Sequence, residues 1–537
     1  MSALFVVLMS IMIFIIAYIT YGAWLAKKWG VDTSRKTPAH ELEDGVDYVP
    51  ASAPVVLGHH FASIAGAGPI VGPIAAAIFG WIPVVLWIIV GTIFVGGVQD
   101  FGALFASIRH DGKSIGEVIG VNVGQKGKKL FAIFAWLTLL LVVAAFVNIV
   151  ANTFVAVPEA ATASILFIVL AVGFGYAVYR KGVKIGLASV IGVALLIVCI
   201  GLGNMFPLAL GKNVWIGILL AYIFVASVTP VWILLQPRDY LNSFLLYAMI
   251  AGAVIGLAFA RPTMELTGFA GFNVNNIYLF PMLFVIVACG AISGFHSLVG
   301  SGTTSKQLDN EGDAKIVGYG GMLIEGVLAV IAIITAAYLT GGRLSELLAN
   351  GGPINVFSDG IGNFMTSFGV PFDIGKAFVA LAISAFALTS LDTATRLARF
   401  LFQEFFAVEG KEESGITNRY VATGITVVLG GALALMGWRT IWPIFGSANQ
   451  LLAAVSLLAI AAWLKNIGRD YKMIMIPMVF MFVVTLTALV LLIQKSIVAA
   501  NYILVVLPAL LLVLALVLIY ETYQVMSKPS SGGKIEG

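Results

Sequence analysis

Apolar stretches long enough to cross a lipid bilayer dominate this chain. Of its 537 residues, 60% are hydrophobic and only 10% are charged, a composition that excludes an ordinary soluble globular protein. A helix needs about 20 mostly apolar residues to span the hydrocarbon core. About fifteen such stretches occur, at residues 3–25, 55–79, 82–107, 130–151, 162–180, 184–205, 213–235, 240–261, 278–303, 316–341, 374–406, 418–438, 441–464, 472–494 and 500–524. The sequence therefore predicts an all-α, multi-pass membrane protein.

The positive charges predict how these spans are oriented. With the N-terminus outside, 24 of the 30 Lys and Arg residues fall on the inner side and 6 on the outer side. Because membrane proteins keep Lys and Arg in cytoplasmic loops, this split predicts an outer N-terminus and a cytoplasmic C-terminus. The same rule explains the net charge of +4 without a nucleic-acid partner. The two cysteines, Cys199 and Cys289, lie in apolar segments and suggest neither a disulfide framework nor a thiolate metal site.

A nine-residue motif occurs twice. Residues 61–69 read FASIAGAGP and residues 295–303 read FHSLVGSGT, so that Phe, Ser and two Gly positions match. Paired, Gly-interrupted spans in two halves of a membrane protein are typical of a transport site. Alternatively, the glycines permit close helix packing. The motif predicts substrate-binding residues at His59, His60, Ser63, Gly66, Gly68, His296, Ser297, Gly300 and Gly302.

Ionisable residues inside apolar spans are costly and commonly functional. Three of the five histidines lie in or beside the two motif copies, where imidazole can bind protons, carboxylates or metals. The alternative is that each histidine fixes helix packing. Asp100 and Glu325 are candidate proton carriers, or structural partners of a buried amide such as Gln99 or Asn148.

A third motif, at residues 386–396, reads FALTSLDTATR. Its hydroxyls and the Asp392 carboxylate offer hard oxygen ligands to a small cation, and Asp392 is a third proton-carrier candidate. Two other interpretations remain. Ser and Thr hydroxyls bond to their own helix backbone, and Asp392 and Arg396, at i and i+4, are spaced to form an ion pair.

The chain resembles the carbon starvation protein A family. The resemblance rests on the segments GHHFASIAGAGP at 58–69, VQDFG at 98–102, GTTSKQ at 302–307 and ALTSLDT at 387–393, and runs from about residue 1 to 520. The family implies uptake of small nutrients, peptides or pyruvate, across a bacterial inner membrane under carbon limitation. It also implies a leucine-transporter-like fold with two inverted five-helix repeats (a 5+5 core) and additional helices.

Under that resemblance, spans 55–79 and 278–303 are the broken first helices of the two repeats. Residues 389–393 also look like the cation motif of betaine/choline transporters. This likeness implies a sodium site at the hydroxyls of Thr389 and Ser390, with backbone carbonyls of Ala62, Ala65 and Phe386. The expected regions are an N-terminal span and cytoplasmic loop (1–54), a first repeat with extra helices (55–277), a second repeat (278–464) with an outer hairpin (342–373), C-terminal helices (465–526) and a flexible tail (527–537).

These features predict a secondary active transporter that imports a pyruvate-like carboxylate or a short peptide by proton or sodium symport, without a cofactor. A divalent-metal transporter using the histidines is the first alternative, although the Cys and Met expected beside soft metals are absent from the motif copies. A nutrient sensor without net transport is the second, although no output domain is recognisable. No nucleophile–base motif or P-loop indicates an enzyme. The expected partners are a small-molecule substrate and the lipid bilayer, and the sequence leaves the oligomeric state open.

Overall fold

The computed structural model describes residues 2–45, 48–230, 233–406, 415–499 and 502–527. Most of the described chain is helical. The predicted flexible tail, apart from Ser527, lies outside the described residues. The α-helices up to residue 260 are α1 (Ala3–Ala17), α2 (Ala23–Trp29), α3 (Pro38–Glu41), α4 (Ala53–Ile64), α5 (Gly68–Ala75), α6 (Trp81–Gly91), α7 (Gly97–Ile108), α8 (Ile115–Asn122), α9 (Gln125–Ala156), α10 (Pro158–Gly175), α11 (Ile185–Met205), α12 (Lys212–Val228) and α13 (Leu235–Ala260).

The remaining helices follow a short β-hairpin of two antiparallel strands. The hairpin consists of β1 (Asn273–Val274) and β2 (Ile277–Tyr278). It turns through Asn275 and Asn276, whose φ angles are 53° and 59°, a conformation that Asn tolerates well. The helices are α14 (Leu279–Ile286), α15 (Gly294–Gly302), α16 (Gly321–Ala337), α17 (Gly341–Ala349), α18 (Gly352–Thr366), α19 (Phe372–Phe406), α20 (Arg419–Ala434), α21 (Trp438–Asn466), α22 (Lys472–Val498) and α23 (Ile503–Ser527).

Short turns of π- or 3-10 helix join several of these elements. They are Tyr18–Gly22, Thr92–Gly96, Tyr176–Arg180 and Lys315–Gly320 of the π type, and Ala76–Phe79 and Thr304–Lys306 of the 3-10 type. The π-helical turns keep neighbouring α-helices continuous, so that α1 and α2, for example, form one span.

Eleven helices among the described residues are long and apolar enough to cross a membrane. They are Ala3–Trp29, Trp81–Ile108, Gln125–Ala156, Pro158–Val178, Ile185–Met205, Pro237–Ala260, Lys315–Ala337, Phe372–Phe406, Arg439–Asn466, Lys472–Val498 and Val505–Gln524. The α4–α5 pair, bent by 45°, makes a twelfth if it is one span. The protein is thus a multi-pass membrane protein.

The predicted count of about fifteen spans is not confirmed. The stretches predicted at 213–235 and 418–438 form α12 and α20, of 17 and 16 residues, which are shorter than the roughly 20 residues that cross the core. The stretch predicted at 278–303 is divided between α14 and α15, with residues 287–293 between them.

The most buried helices form the centre of the molecule. Of the 18 residues that form the apolar part of each span, all are buried in α21 and 89% are buried in the span containing α16, against 22% in α11. Helix α9 packs along α19 and also contacts α20 and α21. The large apolar side chains that α11 exposes, such as Val190 and Ile197, match lipid rather than water. The motif-bearing helices α4, α5 and α15 lie among the central helices.

Residues 30–45 and 48–51, between α2 and α4, form a strap at one end of the molecule. They bond to residues 306–311, which follow α15. The Thr37 hydroxyl donates to the Leu308 carbonyl at 2.6 Å, and the Ala51 amide donates to the Gln307 carbonyl at 2.9 Å. The buried Glu311 carboxylate accepts from the Asp32 amide at 2.7 Å and from Arg109 at 2.7 and 2.9 Å. These bonds fix the loop against α7 and the α15–α16 connection.

Replacing Glu311 by Gln is expected to destabilise the fold by about 3 kcal/mol, because breaking a buried pair leaves the other charge without compensation. Thermal unfolding in detergent measures this loss. Lys113→Gln is the control, since the Lys113–Asp111 pair has side chains that are 55% and 62% exposed and such pairs contribute little. Equal unfolding temperatures for the two variants would contradict the structural role of the Glu311 contact.

The opposite end carries the helical hairpin of α17 and α18. Arg343 on α17 lies 3.5 Å from the Asp359 carboxylate on α18. A small cleft beside the hairpin is lined by Val71, Ile149, Asn152 and residues 351–354. Since Val71 belongs to α5, the wall of this cleft includes the second half of the broken span.

Candidate functional site

The first motif copy breaks a helix, as its sequence predicts. Helix α4 ends at Ile64, and α5 begins at Gly68, with Pro69 in its first turn. A side chain on Gly66 would place a Cβ 2.5 Å from the Ser390 hydroxyl and 2.7 Å from the Phe146 ring. Because Gly66 has no side chain, the break can lie close to α9 and α19.

The helix ends at this break have opposite electrostatic character. The last carbonyls of α4, including that of Ala62, lie at a partially negative helix end, and the first amides of α5 lie at a partially positive one. The Ile64 carbonyl accepts from the Gly66 amide at 2.8 Å. A cation is thus favoured on the α4 side and an anion on the α5 side.

The span predicted at 278–303 is also broken. The break occupies residues 287–293, so that Gly300 and Gly302 lie within α15 rather than at the break. Their amides lie in the second half of a helix, where each N–H is bonded four residues back. The glycine that close packing requires is Gly294, where a Cβ would lie 2.3 Å from the Asn449 carbonyl.

The two breaks touch each other. A Cβ on Gly68 would lie 2.5 Å from Cys289 Sγ, and one on Gly72 would lie 2.7 Å from the Ile286 carbonyl. Side chains from α6, α21 and the turn after α6 bond to the backbone near the second break. Trp87 donates to the Val287 carbonyl (3.2 Å), Thr92 to that of Gly290 (3.2 Å) and Gln450 to that of Phe284. The side-chain Oδ1 of Asn449 accepts from the Phe295 amide (2.9 Å). Protein groups therefore satisfy much of the second break.

Three of the predicted ionisable residues meet in one buried triad. His296 Nδ1 lies 2.8 Å from Asp100 Oδ2, and His296 Nε2 lies 3.3 Å from Glu325 Oε2. All three side chains are 0% exposed. The backbone of Ile64, at the end of α4, also interacts with the imidazole. The triad joins α7, α15, α16 and the first break.

This geometry can hold a proton. Asp100 Oδ1 and both Glu325 oxygens are buried without a hydrogen-bond partner among the described residues. Two ionised carboxylates around a neutral imidazole would place two negative charges in the membrane interior, which is unfavourable. Protonation of the imidazole or of a carboxyl group lowers that charge, so the triad is a candidate site of proton uptake.

His59 and His60 face different neighbours. His60 is buried, and its Nδ1 lies 2.9 Å from the Thr304 hydroxyl. His59 is 15% exposed, and its Nδ1 lies 3.4 Å from Asp239 Oδ2 on α13. The two histidines therefore contact different elements, the 3-10 turn after α15 and helix α13.

Asp392 belongs to a second buried group of charges. Arg238 on α13 bonds to Asp392, which also accepts from the Tyr222 hydroxyl at 2.8 Å. Arg238 further bonds to Asp239 at 3.2 Å. The interpretation that Asp392 pairs with Arg396 is wrong, because Arg396 Nη2 donates to the carbonyls of Ala226 and Thr229 (3.0 and 2.7 Å). Asp392 is thus an ion-pair partner rather than an isolated proton carrier.

The hydroxyls of the third motif bond to protein groups. Thr389 accepts from the Asn242 amide at 2.9 Å and donates to the Ala385 carbonyl at 3.1 Å. Ser390 donates to the Ser63 carbonyl at 3.1 Å. A sodium ion at these hydroxyls would have to replace their bonds to Asn242, Ala385 and Ser63, and the sodium site stays a prediction.

The other predicted site residues are buried in supporting positions. Ala62 and Ala65 lie at the C-terminal end of α4, and Phe386 lies one turn before Ser390 on α19. Ser297 bonds to the Gly294 carbonyl at 2.6 Å and to the Ser456 hydroxyl at 2.7 Å. Among the described residues, no group of three or more His, Cys, Asp or Glu is arranged to hold a metal ion.

Sequence analysis missed Arg238, Asp239, Tyr222 and Asn242. Arg238 and Asp239 are adjacent charges just before the span predicted at residues 240–261. Both side chains are 0% exposed, and the sequence does not show this burial. Their position as a charged pair in the first turn of a span is the sequence signal that could indicate a buried ion pair.

Known proteins match this chain over most of its length. The family described as carbon starvation protein CstA matches residues 2–349 and 341–488. The chain belongs to this family. The peptide transporter CstA of Escherichia coli (strain K12) is 33% identical, over 91% of this chain and 80% of that protein. The pyruvate/proton symporter BtsT of the same organism is 31% identical, over 91% of this chain and 81% of that protein.

A further relative is similar in length to this chain. The peptide transporter CstA of Bacillus subtilis (strain 168) is 33% identical, over 90% of this chain and 89% of that protein. Among solved structures, a manganese transporter mutant of Eremococcus coleocola aligns with a TM-score of 0.48 and 12% identity, over 90% of this chain and 99% of that one; nothing about fold or substrate follows from so low a score. The carbon starvation relatives support a transporter in a membrane.

Proposed function

We propose that this protein imports a small carboxylate, of the size of pyruvate, by symport with protons across the plasma membrane of a bacterium. The observation that carries the proposal is the buried His296 imidazole between Asp100 and Glu325. This triad contacts the end of α4 at Ile64. Proton binding there would therefore bias the same broken helix that borders the proposed substrate site.

The anion would bind at the first break. The first amides of α5 carry partial positive charge, and substrate carboxylates bind such helix ends in transporters with broken helices. Gly68 and Pro69 begin this helix, and Ser63 lies one turn before the break. Of the two breaks, the first has fewer side-chain bonds to its backbone and is therefore the proposed position of the carboxylate.

Two inverted halves would then alternate access to the site, with the N-terminus outside and the C-terminus in the cytoplasm. The cleft beside the hairpin would be the outer approach, because it reaches Val71 on α5. The strap of residues 30–45 and 48–51 would close the cytoplasmic end. Coupling requires that proton and substrate bind one of the two states better than the other.

The test is uptake of labelled pyruvate into proteoliposomes with an imposed proton or sodium gradient. Accumulation is expected with a proton gradient and is expected to remain when choline replaces sodium. Absence of gradient dependence would contradict symport, and ligand-induced stabilisation without flux would favour a sensor.

Short peptides are the second substrate class, favoured by the names of several relatives. Competition distinguishes the two classes: unlabelled pyruvate should suppress uptake of labelled pyruvate, whereas di- and tripeptides should not. Stronger competition by peptides than by pyruvate would reassign the substrate while leaving proton coupling intact.

Replacing Ser390 by Ala tests the sodium alternative. The variant loses the bond to the Ser63 carbonyl, which is expected to destabilise the protein by about 1 kcal/mol, but its dependence on protons and sodium should match that of the unmodified protein. Ser384→Ala is the control, because Ser384 lies on the same helix as Ser390 and its hydroxyl bonds to that of Ser164 at 3.0 Å. A sodium dependence that only Ser390→Ala removes would support a sodium site.

A further inference from the structure

Two membrane-spanning helices, α13 and α19, carry polar side chains on facing turns. On α13, Asp239 and Asn242 lie about one turn apart. On α19, Thr389 and Asp392 have the same spacing. The Asn242 side-chain amide donates to the Thr389 hydroxyl at 2.9 Å, and at the adjoining turn both carboxylates bond to the one guanidinium of Arg238. All five side chains are buried, so a compact polar group lies between the two spans.

The charges of this group do not balance. The Arg238 guanidinium supplies one positive charge to two carboxylates, which leaves one negative charge in excess within the membrane interior, where such a charge is costly. The Tyr222 hydroxyl, which donates to Asp392 at 2.8 Å, is neutral. His59 Nδ1, at 3.4 Å from Asp239 Oδ2, adds a positive charge only as an imidazolium. A monovalent cation would cancel the excess, whereas a divalent cation would exceed it.

The same group has three oxygen atoms without a donor. Asp239 Oδ2, Asn242 Oδ1 and Asp392 Oδ1 are buried and have no hydrogen-bond partner among the described residues. The Asn242 amide cannot be reversed to satisfy its oxygen, because its nitrogen also faces an acceptor, the Ala385 carbonyl, at 3.3 Å. A proton on His59 or on one carboxyl group would supply a donor to one oxygen and leave the other two unsatisfied. A cation, by contrast, contacts several carboxylate and carbonyl oxygens at once.

We infer that a monovalent inorganic cation, Na⁺ or K⁺, binds between α13 and α19. Its ligands are Asp239 Oδ2, Asn242 Oδ1 and Asp392 Oδ1. The predicted sodium site uses different atoms, the hydroxyls of Thr389 and Ser390. The ion compensates a buried charge of the fold and takes no part in coupling, so this inference does not rest on the proposed symport.

Thermal unfolding of the full-length protein in detergent tests the site without substrate or a gradient. In NaCl or KCl the unfolding temperature should be about 3 °C higher than in choline chloride at the same concentration, because an ion that binds only the folded state stabilises it. Equal concentrations keep the ionic screening alike. A response to only one of the two metal ions would identify that ion as the ligand. Equal unfolding temperatures in the three salts would overturn the inference, and so would a stronger response to Mg²⁺ or Ca²⁺.

Asp239→Asn removes the excess negative charge and keeps the size of the side chain. In choline chloride this variant should be at least as stable as the unmodified protein, and Na⁺ or K⁺ should no longer raise its unfolding temperature. Asp309→Asn is the matched control, because the Asp309 side chain is 54% exposed, and it should respond to the ions like the unmodified protein. A full ion response in Asp239→Asn would show that the ion binds elsewhere.

Asn242→Ala separates a ligand from a merely structural side chain. It keeps both carboxylates, so the ion should still stabilise the protein. The concentration of Na⁺ or K⁺ that gives half of the stabilisation should rise about tenfold, because the loss of a bond to a charged group commonly costs that much affinity. If the unfolding temperature instead falls equally in all three salts and this concentration is unchanged, the proposed set of ligands is wrong.

Discussion

Replacing His296 by Gln is expected to abolish proton-driven accumulation of substrate. Gln can bond to Asp100 but cannot bind a proton at neutral pH, so the triad loses the group that lies between its two carboxylates. Uptake of labelled pyruvate against a gradient should fall at least tenfold, while exchange at equal concentrations persists. The combination distinguishes loss of coupling from loss of binding.

Two further variants serve as controls for this test. His110→Gln removes a half-buried histidine whose Nδ1 bonds to the Ala106 carbonyl at 2.7 Å, so it controls for the loss of any histidine. Because His296→Gln also leaves two carboxylates close together, a variant with both Asp100→Asn and Glu325→Gln removes that repulsion while retaining His296. If folded His296→Gln still accumulates pyruvate with a normal proton dependence, the triad is not the coupling site.

The second large effect is expected from adding one methyl group at Gly294. In Gly294→Ala the new Cβ would lie 2.3 Å from the Asn449 carbonyl and 2.5 Å from the Ala453 amide nitrogen. Both are backbone atoms of α21 and cannot rotate away. Overpacking commonly costs about 1–3 kcal/mol, and this contact should lie at or above that range, with a large fall in the unfolding temperature.

Gly300→Ala is the matched variant on the same helix. The nearest heavy atoms to its new Cβ would be 3.8 Å away, which is ordinary contact, and Ala is favoured over Gly in a helix by about 1 kcal/mol. This variant should be as stable as the unmodified protein or slightly more stable, with unchanged uptake. A transport defect in stable Gly300→Ala would instead support the predicted contact between Gly300 and substrate.

Several features of the fold and the site could be predicted from sequence because they depend on local composition. Long apolar runs require membrane spans, and Gly66, Gly68 and Pro69 disfavour a continuous helix where the structure places the first break. The family could also be recognised, since its motifs are contiguous in the chain. The substrate-binding and sodium-binding roles assigned to these motifs stay predictions.

The second break shows why a repeat in sequence does not fix a repeat in local structure. Gly300 and Gly302 match Gly66 and Gly68 in the motif, yet they lie within helix α15. The break occurs instead at residues 287–293, where side chains from α6 and α21 bond to the freed backbone groups. Those partners are distant in sequence and carry no local signal.

By itself, the sequence determined that this chain is a multi-pass membrane protein of the carbon starvation family and that the span at residues 55–79 is broken. Only the tertiary structure decided which ionisable groups meet. Asp100 and His296 are 196 residues apart, and Arg238 and Asp392 are 154 apart. A buried charge is stable only beside groups that compensate it, and helix packing, which local sequence does not encode, determines which groups those are.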